Sequence, residues 1–283
     1  MLRFLQLLFT TLFLSVVLVY TGTCHAADTV RINGSGNALD MMQPLINAYI
    51  KTNHNAHIVM AKPLGSSGAI KALLADALDM AIVSRDLKTE EAAQGAMLMR
   101  YGKTPFVIVT EKSVHRSGIS TKELEDIYTG KTGTWQEGKK IRVVLRPLAD
   151  IDTLIMRGLS PGMNSAITAS HTRPGMVLAI TDLDSYATIK KTPGGIGATG
   201  MNSIISEKLP LTMLSLNGIK PSLKNLASGA YPLAKEISFV TTAKTTPATW
   251  KLIDFIFSAK GRAIAGKAGV LVTAGVTERS KPH

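Results

Sequence analysis

Short runs of apolar, β-branched residues alternate along this chain with stretches in which apolar positions recur every three to four residues. The runs predict strands over 29–33, 57–61, 79–84, 105–112, 142–145, 196–199 and 237–242. The helical spacing predicts helices over 38–51, 67–78, 89–97, 121–128, 174–183 and 247–258, with a second short stretch running on to Ala268. Alternation of this kind gives a layered α/β fold with largely parallel sheets. Pro44 falls inside the first helical pattern, so that helix starts late or kinks there. The helix at 247–258 is well punctuated: Thr246 caps it, Pro247 suits its first turn, and Trp250, Ile253, Phe255, Ile256 and Phe257 form its apolar face. The polar, basic tail 277–283 is expected to fray.

The start of the chain departs from this pattern. Arg3 precedes an apolar run from Phe4 to about Tyr20, which ends in Thr21-Gly22-Thr23-Cys24-His25-Ala26. A short basic start, an apolar core and a small-residue end read as a secretory signal peptide, residues 1–26, cleaved after Ala26. The run holds Gln6, Thr10, Thr11 and Ser15 and is too short for a comfortable membrane span. Cys24, the only cysteine, leaves with it, so disulfides, thiol nucleophiles and cysteine metal sites are not expected in the mature chain. A lipidated Cys24 is disfavoured because Thr21-Gly22-Thr23 lacks the leucine usual three positions earlier. Export without disulfides at this size suggests a bacterial periplasm and argues against a nucleic-acid partner.

Composition adds limits rather than identity. The 283 residues are 45% hydrophobic and 18% charged, with 24 Gly and 12 Pro, which excludes collagen, a coiled-coil rod and a wholly disordered chain. The length accommodates two lobes, each with its own core. A net charge of +12 favours an anionic partner without saying which.

Three turns give that preference a place. Gly34-Ser35-Gly36-Asn37 and Gly65-Ser66-Ser67-Gly68 each lie between a predicted strand and a predicted helix, and Ser84-Arg85-Asp86 ends a third strand. A helix start presents unsatisfied N–H groups and a partial positive charge to an oxyanion. Glycine lets the backbone approach closely, Ser and Asn add side-chain donors, and Arg85 adds a permanently charged fork. Open α/β sheets bind ligands at the carboxyl ends of their strands, where all three turns are placed. The residues by themselves give an exported α/β anion binder.

These turns resemble those of the phosphate-binding proteins of bacterial ABC phosphate transporters, members of the type II periplasmic binding proteins. Gly34-Ser35-Gly36-Asn37-Ala38-Leu39, Gly65-Ser66-Ser67-Gly68-Ala69-Ile70-Lys71 and Leu78-Asp79-Met80-Ala81-Ile82-Val83-Ser84-Arg85 carry the resemblance in the first part of the chain. Asp126-Ile127-Tyr128-Thr129-Gly130-Lys131 with Trp135, Pro193-Gly194-Gly195-Ile196-Gly197, Tyr231-Pro232-Leu233 and the segment from Ile253 to Gly269 extend it in the same order. The resemblance implies two α/β lobes joined by two crossing strands, with the ligand in the central cleft. The crossings fall near 106–110 and 236–241, giving lobe 1 as 27–106 and 240–283 and lobe 2 as 107–239. It implies a phosphate or related oxyanion held by Ser35, Gly36, Asn37, Ser66, Ser67, Gly68, Ser84, Arg85 and Arg146, delivered to an ABC permease by a monomer.

The departures from the family pattern are local. Asn37 and Ala38 stand where a hydroxyl residue often contacts the anion, and Ser84 stands where many members carry an aspartate. After Arg146 the usual Gly-Ser-Gly-Thr turn is replaced by Pro147-Leu148-Ala149-Asp150-Ile151-Asp152-Thr153. Pro147 has no N–H, and two carboxylates occupy a region where donors are expected. Asp150 or Asp152 is either a helix cap or a cleft group that accepts a ligand proton, with Thr153 beside them. A desolvated carboxylate otherwise repels a dianion. That change leaves open an exported, non-transport sensor or interaction protein on the same fold.

Other chemistry is less well supported. His54 and His57 lie in a polar connection and suit a solvated turn better than a metal, and no cofactor site is read. Gly-x-Ser-x-Gly is absent and no His–Asp pair is linked to Ser66, Ser67 or Ser84, so an enzyme is not expected. Lys139, Lys140 and Arg142 cluster, as do Lys190 and Lys191, without interleaved aromatics.

Overall fold

The computed structural model describes residues 28–273. The expected signal peptide with Cys24 and the tail 277–283 lie outside the described residues. The first third of the chain runs β1 (Asp28–Gly34), α1 (Gly36–Asp40), α2 (Met42–Ile50), β2 (Ala56–Met60), α3 (Gly65–Leu74), β3 (Met80–Val83), α4 (Thr89–Ala93) and the long β4 (Met97–Glu111). The middle follows as β5 (Gly118–Ile119), α5 (Thr121–Thr129), β6 (Arg142–Leu145), α6 (Ile151–Arg157), α7 (Pro161–Thr172), β7 (Val177–Leu178), α8 (Asp182–Lys191), β8 (Gly195–Gly200) and α9 (Met201–Ser206). The last part is β9 (Leu211–Met213), β10 (Ser215–Leu216), α10 (Leu223–Ala227), β11 (Ala234–Thr241), α11 (Pro247–Phe257), α12 (Ala259–Lys267) and β12 (Leu271–Val272).

The strands join in the order β2-β1-β3-β11-β4-β8-β6-β7. Pairing is parallel within each half, β1 with β2 and β3, and β6 with β7 and β8. It is antiparallel through the middle, where β11 meets β3 and β4 and where β4 meets β8. The largely parallel expectation therefore holds for the two halves and fails at the seam. One strand makes that seam: β4 pairs with β11 from Met97 to Pro105, then with β8 from Phe106 to Thr110.

Each half has its own core, which makes the molecule two-lobed. Lobe 1 packs Val30, Ile32, Met42, Leu45, Ile82, Tyr101, Ile237, Phe239 and Ile253 on one sheet face, and Ala69, Ile70, Leu73, Val83 and Val240 on the other. Lobe 2 packs Phe106, Ile108, Leu124, Ile127, Val144, Met163, Ile167, Ile189 and Leu233. The chain therefore leaves the first core between Tyr101 and Phe106 and re-enters it between Leu233 and Ile237. Backbone turns meet side-chain-free positions where the layers are tightest: a Cβ on Gly34 would stand 2.0 Å from the Ile82 carbonyl oxygen.

Local chemistry sets the helix starts. Ser120 and Glu123 form a reciprocal capping box on α5, Thr181 and Asp184 another on α8, and Thr246 caps α11 ahead of Pro247. The helical pattern interrupted by Pro44 is two helices, α1 and α2, with Pro44 in the first turn of the second, where its missing N–H is harmless. The helix predicted over 174–183 is not formed. Gly175 is left-handed (φ 77°), β7 pairs with β6, and α8 begins after Thr181. Among the described residues no helix is long and apolar enough to cross a membrane.

Candidate functional site

The carboxyl ends of β1, β2, β3, β6 and β7 face one another across a cleft, and the turns that follow them line a cavity of about 290 Å³. From lobe 1 come Ser35, Gly36, Pro63, Leu64, Gly65, Ser66, Ser67, Gly68 and Arg85; from lobe 2 come Arg146, Ala149, Asp150, Ile151, Ile180, Thr181 and Asp182, with Lys235 from β11. Eight of the twelve residues singled out in the sequence are thus brought together. Asn37, Ser84, Asp152 and Thr153 are buried behind that lining.

The lobe 1 wall is built from backbone. Gly65 takes a left-handed conformation (φ 72°) to open α3, and Leu64 at its cap supplies no side-chain hydrogen bond. The leading amides of α3 therefore carry the unsatisfied donors and partial positive charge of a helix start. Asn33 ties this turn to the first one, its Oδ1 accepting from the N–H of Gly34 at 2.8 Å and of Leu64 at 2.9 Å. Ser66 Oγ accepts from the Ser84 N–H at 3.1 Å. Ser35 caps α1, and its hydroxyl shares a 2.8 Å hydrogen bond with that of Ser84.

Two side chains read as free donors are otherwise engaged. Arg85 lines the cavity, but its fork grips Glu91 at 2.6 and 2.8 Å and donates to Ser67 Oγ at 2.9 Å. That grip holds the Glu91 carboxyl below its ordinary range. The Asn37 carboxamide points away from the cleft and donates to Asn202 Oδ1 at 2.5 Å and Ser203 Oγ at 3.0 Å. The cause lies in α9: α1 is a single short turn wedged against it, so its first side chain is covered.

The floor is a buried ion network with two members that sequence reasoning missed. Lys235, 1% exposed, lies 2.5 Å from Asp152 Oδ1 and 2.7 Å from Asp182 Oδ1. Arg146 donates to Asp150 Oδ2 at 2.8 Å and to the Ala179 carbonyl at 3.2 Å, and stands 3.6 Å from Asp152 and 3.9 Å from Asp182. Its Nε is buried with no hydrogen-bond partner among the described residues. Asp150 is both the cap of α6, accepting from the Asp152 N–H at 3.0 Å, and the partner of Arg146. Thr153 turns inward and donates to the Arg146 carbonyl at 3.1 Å.

Asp182 also closes the gap between lobes. Its Oδ2 accepts from the Asn37 N–H at 3.1 Å, and its Cβ lies where a side chain on Gly36 would start, 2.9 Å away. A protein carboxylate thus sits against the first glycine-rich turn. A signal for Lys235 was present in the sequence: it stands two residues before Ile237 and four before Phe239, and the period of a strand places all three on one face. Asp182 had a weaker one, as the residue after a threonine cap.

Electrostatics separates the two aspartates. Burial, with the Asp182 and Asp150 charges beside it, pushes Asp152 up to about 7 against the pull of Lys235 and Arg146. For Asp182 burial is outweighed by Lys235, Arg146 and the Asn37 N–H, which bring it down to about 2. Lys235 is held charged by both carboxylates in spite of its burial. Asp40, at the end of α1, is pushed up to about 7, chiefly by burial.

A raised carboxyl pKa means that the folded state keeps a proton the unfolded chain has lost. That contribution to stability is fully present below the ordinary aspartate value of 3.8 and is lost as pH rises through about 7. The melting temperature should therefore fall between roughly pH 6 and 8, by about 1–2 kcal/mol of stability per group. Asp152→Asn should flatten the slope and a further Asp40→Asn abolish it; an unchanged slope in the double variant would refute the assignment.

Comparison with known proteins gives the chain its relatives. The model of the PBP superfamily domain matches residues 21–260. Phosphate-binding protein PstS of Borreliella burgdorferi is 28% identical over 279 residues, covering 91% of this chain and 95% of that protein. PstS of Bacillus subtilis is 32% identical over 151 residues, covering 50% of this chain and 45% of that protein. A putative phosphate ABC transporter substrate-binding protein from Clostridium perfringens, solved with bound phosphate, superposes with a TM-score of 0.73 at 20% identity over 87% of this chain and 100% of that one. An ABC-type phosphate transport receptor from Vibrio cholerae superposes with a TM-score of 0.59 at 17% identity, over 86% and 99% of the two chains. These two structures share the fold.

Proposed function

We propose that this chain, which belongs to the PBP superfamily, is a substrate-binding protein that captures a small oxyanion, phosphate above all, for an ABC importer. The observation that carries this reading is the uncapped start of α3 opening into the cleft cavity opposite Arg146. An anion seated there would receive the amides and hydroxyls of Ser66 and Ser67, the amide of Gly68 and the free Nε of Arg146, with Ser35 and Gly36 at its side. Ser84 and Thr153 act behind this wall, and Asp150 and Asp152 partly offset the positive charge of Arg146. The phosphate-binding names of the relatives support the choice of anion.

The two cores support a lobe 1 of 27–106 and 240–283 and a lobe 2 of 107–239, with the return step a few residues earlier, between Leu233 and Ile237. Ligand contacts to both lobes would favour the closed state, which a permease would recognise. Selectivity comes from preorganised hydrogen bonds, with no bond made or broken in the ligand. We place the mature, monomeric protein in the periplasm, released by cleavage after Ala26.

Thermal unfolding of the stripped mature protein tests the reading. At about 100 times the dissociation constant phosphate should add about 2.7 kcal/mol, a rise of roughly 5–10 °C at this size. Chloride at matched ionic strength should add nothing, and sulfate and molybdate define selectivity. No rise with any oxyanion would remove the proposal.

A further inference from the structure

Two basic segments remote in sequence meet at the end of lobe 2 away from the cleft. Lys139, Lys140 and Arg142, leading into β6, and Lys191, ending α8, line one open hollow of about 590 Å³ with Val177, Thr192 and Pro193. The hollow is held in shape by β6 pairing with β8, Arg142 opposite Gly195, and by the Trp135 indole donating to the Gly194 carbonyl at 3.0 Å. Among the described residues no acidic side chain lines it. Lys139 is anchored to the Ser113 carbonyl and hydroxyl, both at 2.6 Å. Lys140, Arg142 and Lys191 are exposed, and none forms an ion pair among the described residues.

Its position separates it from ligand capture. β6 begins at Arg142 in the hollow and is followed by Arg146 in the cleft, while α8 begins at Asp182 in the cleft and ends at Lys191 in the hollow. The ten residues of α8 put about 15 Å between the two ends. An occupant of the hollow leaves the cleft mouth free.

We propose that this basic hollow docks the protein on an anionic lipid surface. The hollow is wide and open, and its cations reach it on exposed side chains rather than from a closed ring of amides, which suits a diffuse charged surface better than one small anion. Three of the four cations are lysines, hydrated point charges without the fork that arginine offers a carboxylate, so they fit a field of headgroups better than a defined acidic motif. Val177, exposed among them, adds an apolar contact at the same level, the combination that interfacial surfaces use. At roughly fivefold per basic residue near an anionic bilayer, the three exposed cations give a preference of about a hundredfold over a neutral one. A carrier held at the membrane by charge needs no lipid anchor to stay near a membrane-embedded partner.

Sedimentation of the mature protein with phosphatidylcholine vesicles, with and without phosphatidylglycerol, tests the proposal. The protein should bind only the anionic vesicles and be released by salt. Lys140→Glu/Arg142→Glu/Lys191→Glu should lose at least tenfold more binding than the charge-matched control Lys51→Glu/Lys220→Glu/Lys224→Glu, with both variants melting like wild type. Equal losses in the two variants would show that net charge alone acts and would overturn the proposal. So would failure of the wild type to bind anionic vesicles while a glutamate-rich peptide binds at the hollow, which would assign it to an acidic protein segment.

Discussion

Lys235→Met should lower the stability of the mature protein by about 3–5 kcal/mol, the usual cost of removing one partner from a buried ion pair. For a chain of this size that is roughly 6–20 °C of melting temperature. Among the described residues Lys235 is the one ammonium within 2.7 Å of both Asp152 and Asp182, which are themselves buried. Without it two carboxylates share a covered site with Arg146, whose shortest contact is already to Asp150. One must then take up a proton or draw in water. Methionine fills nearly the same volume, so little of the loss comes from a cavity. Adding Asp152→Asn removes the surplus charge and should restore at least half of the lost stability. A Lys235→Met protein that melts like wild type, or a double variant no better than the single, would show that the network does not hold the lobes as described.

Asp182→Asn should act in the opposite sense on binding and tighten phosphate by on the order of tenfold to a hundredfold. The Asp182 carboxylate lies on the Asn37 N–H beside Gly36, against the turn an anion would approach. At an effective dielectric near 20, a charge several ångströms from an arriving anion opposes it by about 2 kcal/mol. Asparagine keeps an oxygen for the Asn37 N–H. It leaves Lys235 paired with Asp152 and Arg146 with Asp150, two cations with two carboxylates. The fold should therefore lose much less than in Lys235→Met. Calorimetry on the variant reads the result directly. Binding weakened tenfold would instead make Asp182 the acceptor of a ligand proton.

The parts of this molecule that were legible in the sequence are those set by local rules. Glycine- and serine-bearing turns between apolar strands announced the cleft edge, and seven of their residues do line one cavity. Thr246-Pro247 placed α11 at its residue. The first half of β4 was not legible, because Met97 to Lys103 shows no alternation: the stretch pairs with β11 along its length, and with β12 at Gly102 and Lys103. The apolar run around Val177 looked helical, yet the left-handed Gly175 and the Thr181-Asp184 capping box divide it into a short strand and a later helix. Lys235 and Asp182 come together across 53 residues of sequence. No local pattern encodes such a meeting, and a charged residue in a strand is ordinarily solvated. Asn37 failed for a similar reason, since the side chains that claim it belong to α9.

The most direct measurement is a calorimetric titration of phosphate into the stripped mature protein and into Ser67→Ala. One saturable site per chain is expected, weakened about tenfold by loss of the Ser67 hydroxyl at the start of α3. No binding of phosphate to the wild type, or identical binding by the two proteins, would contradict it.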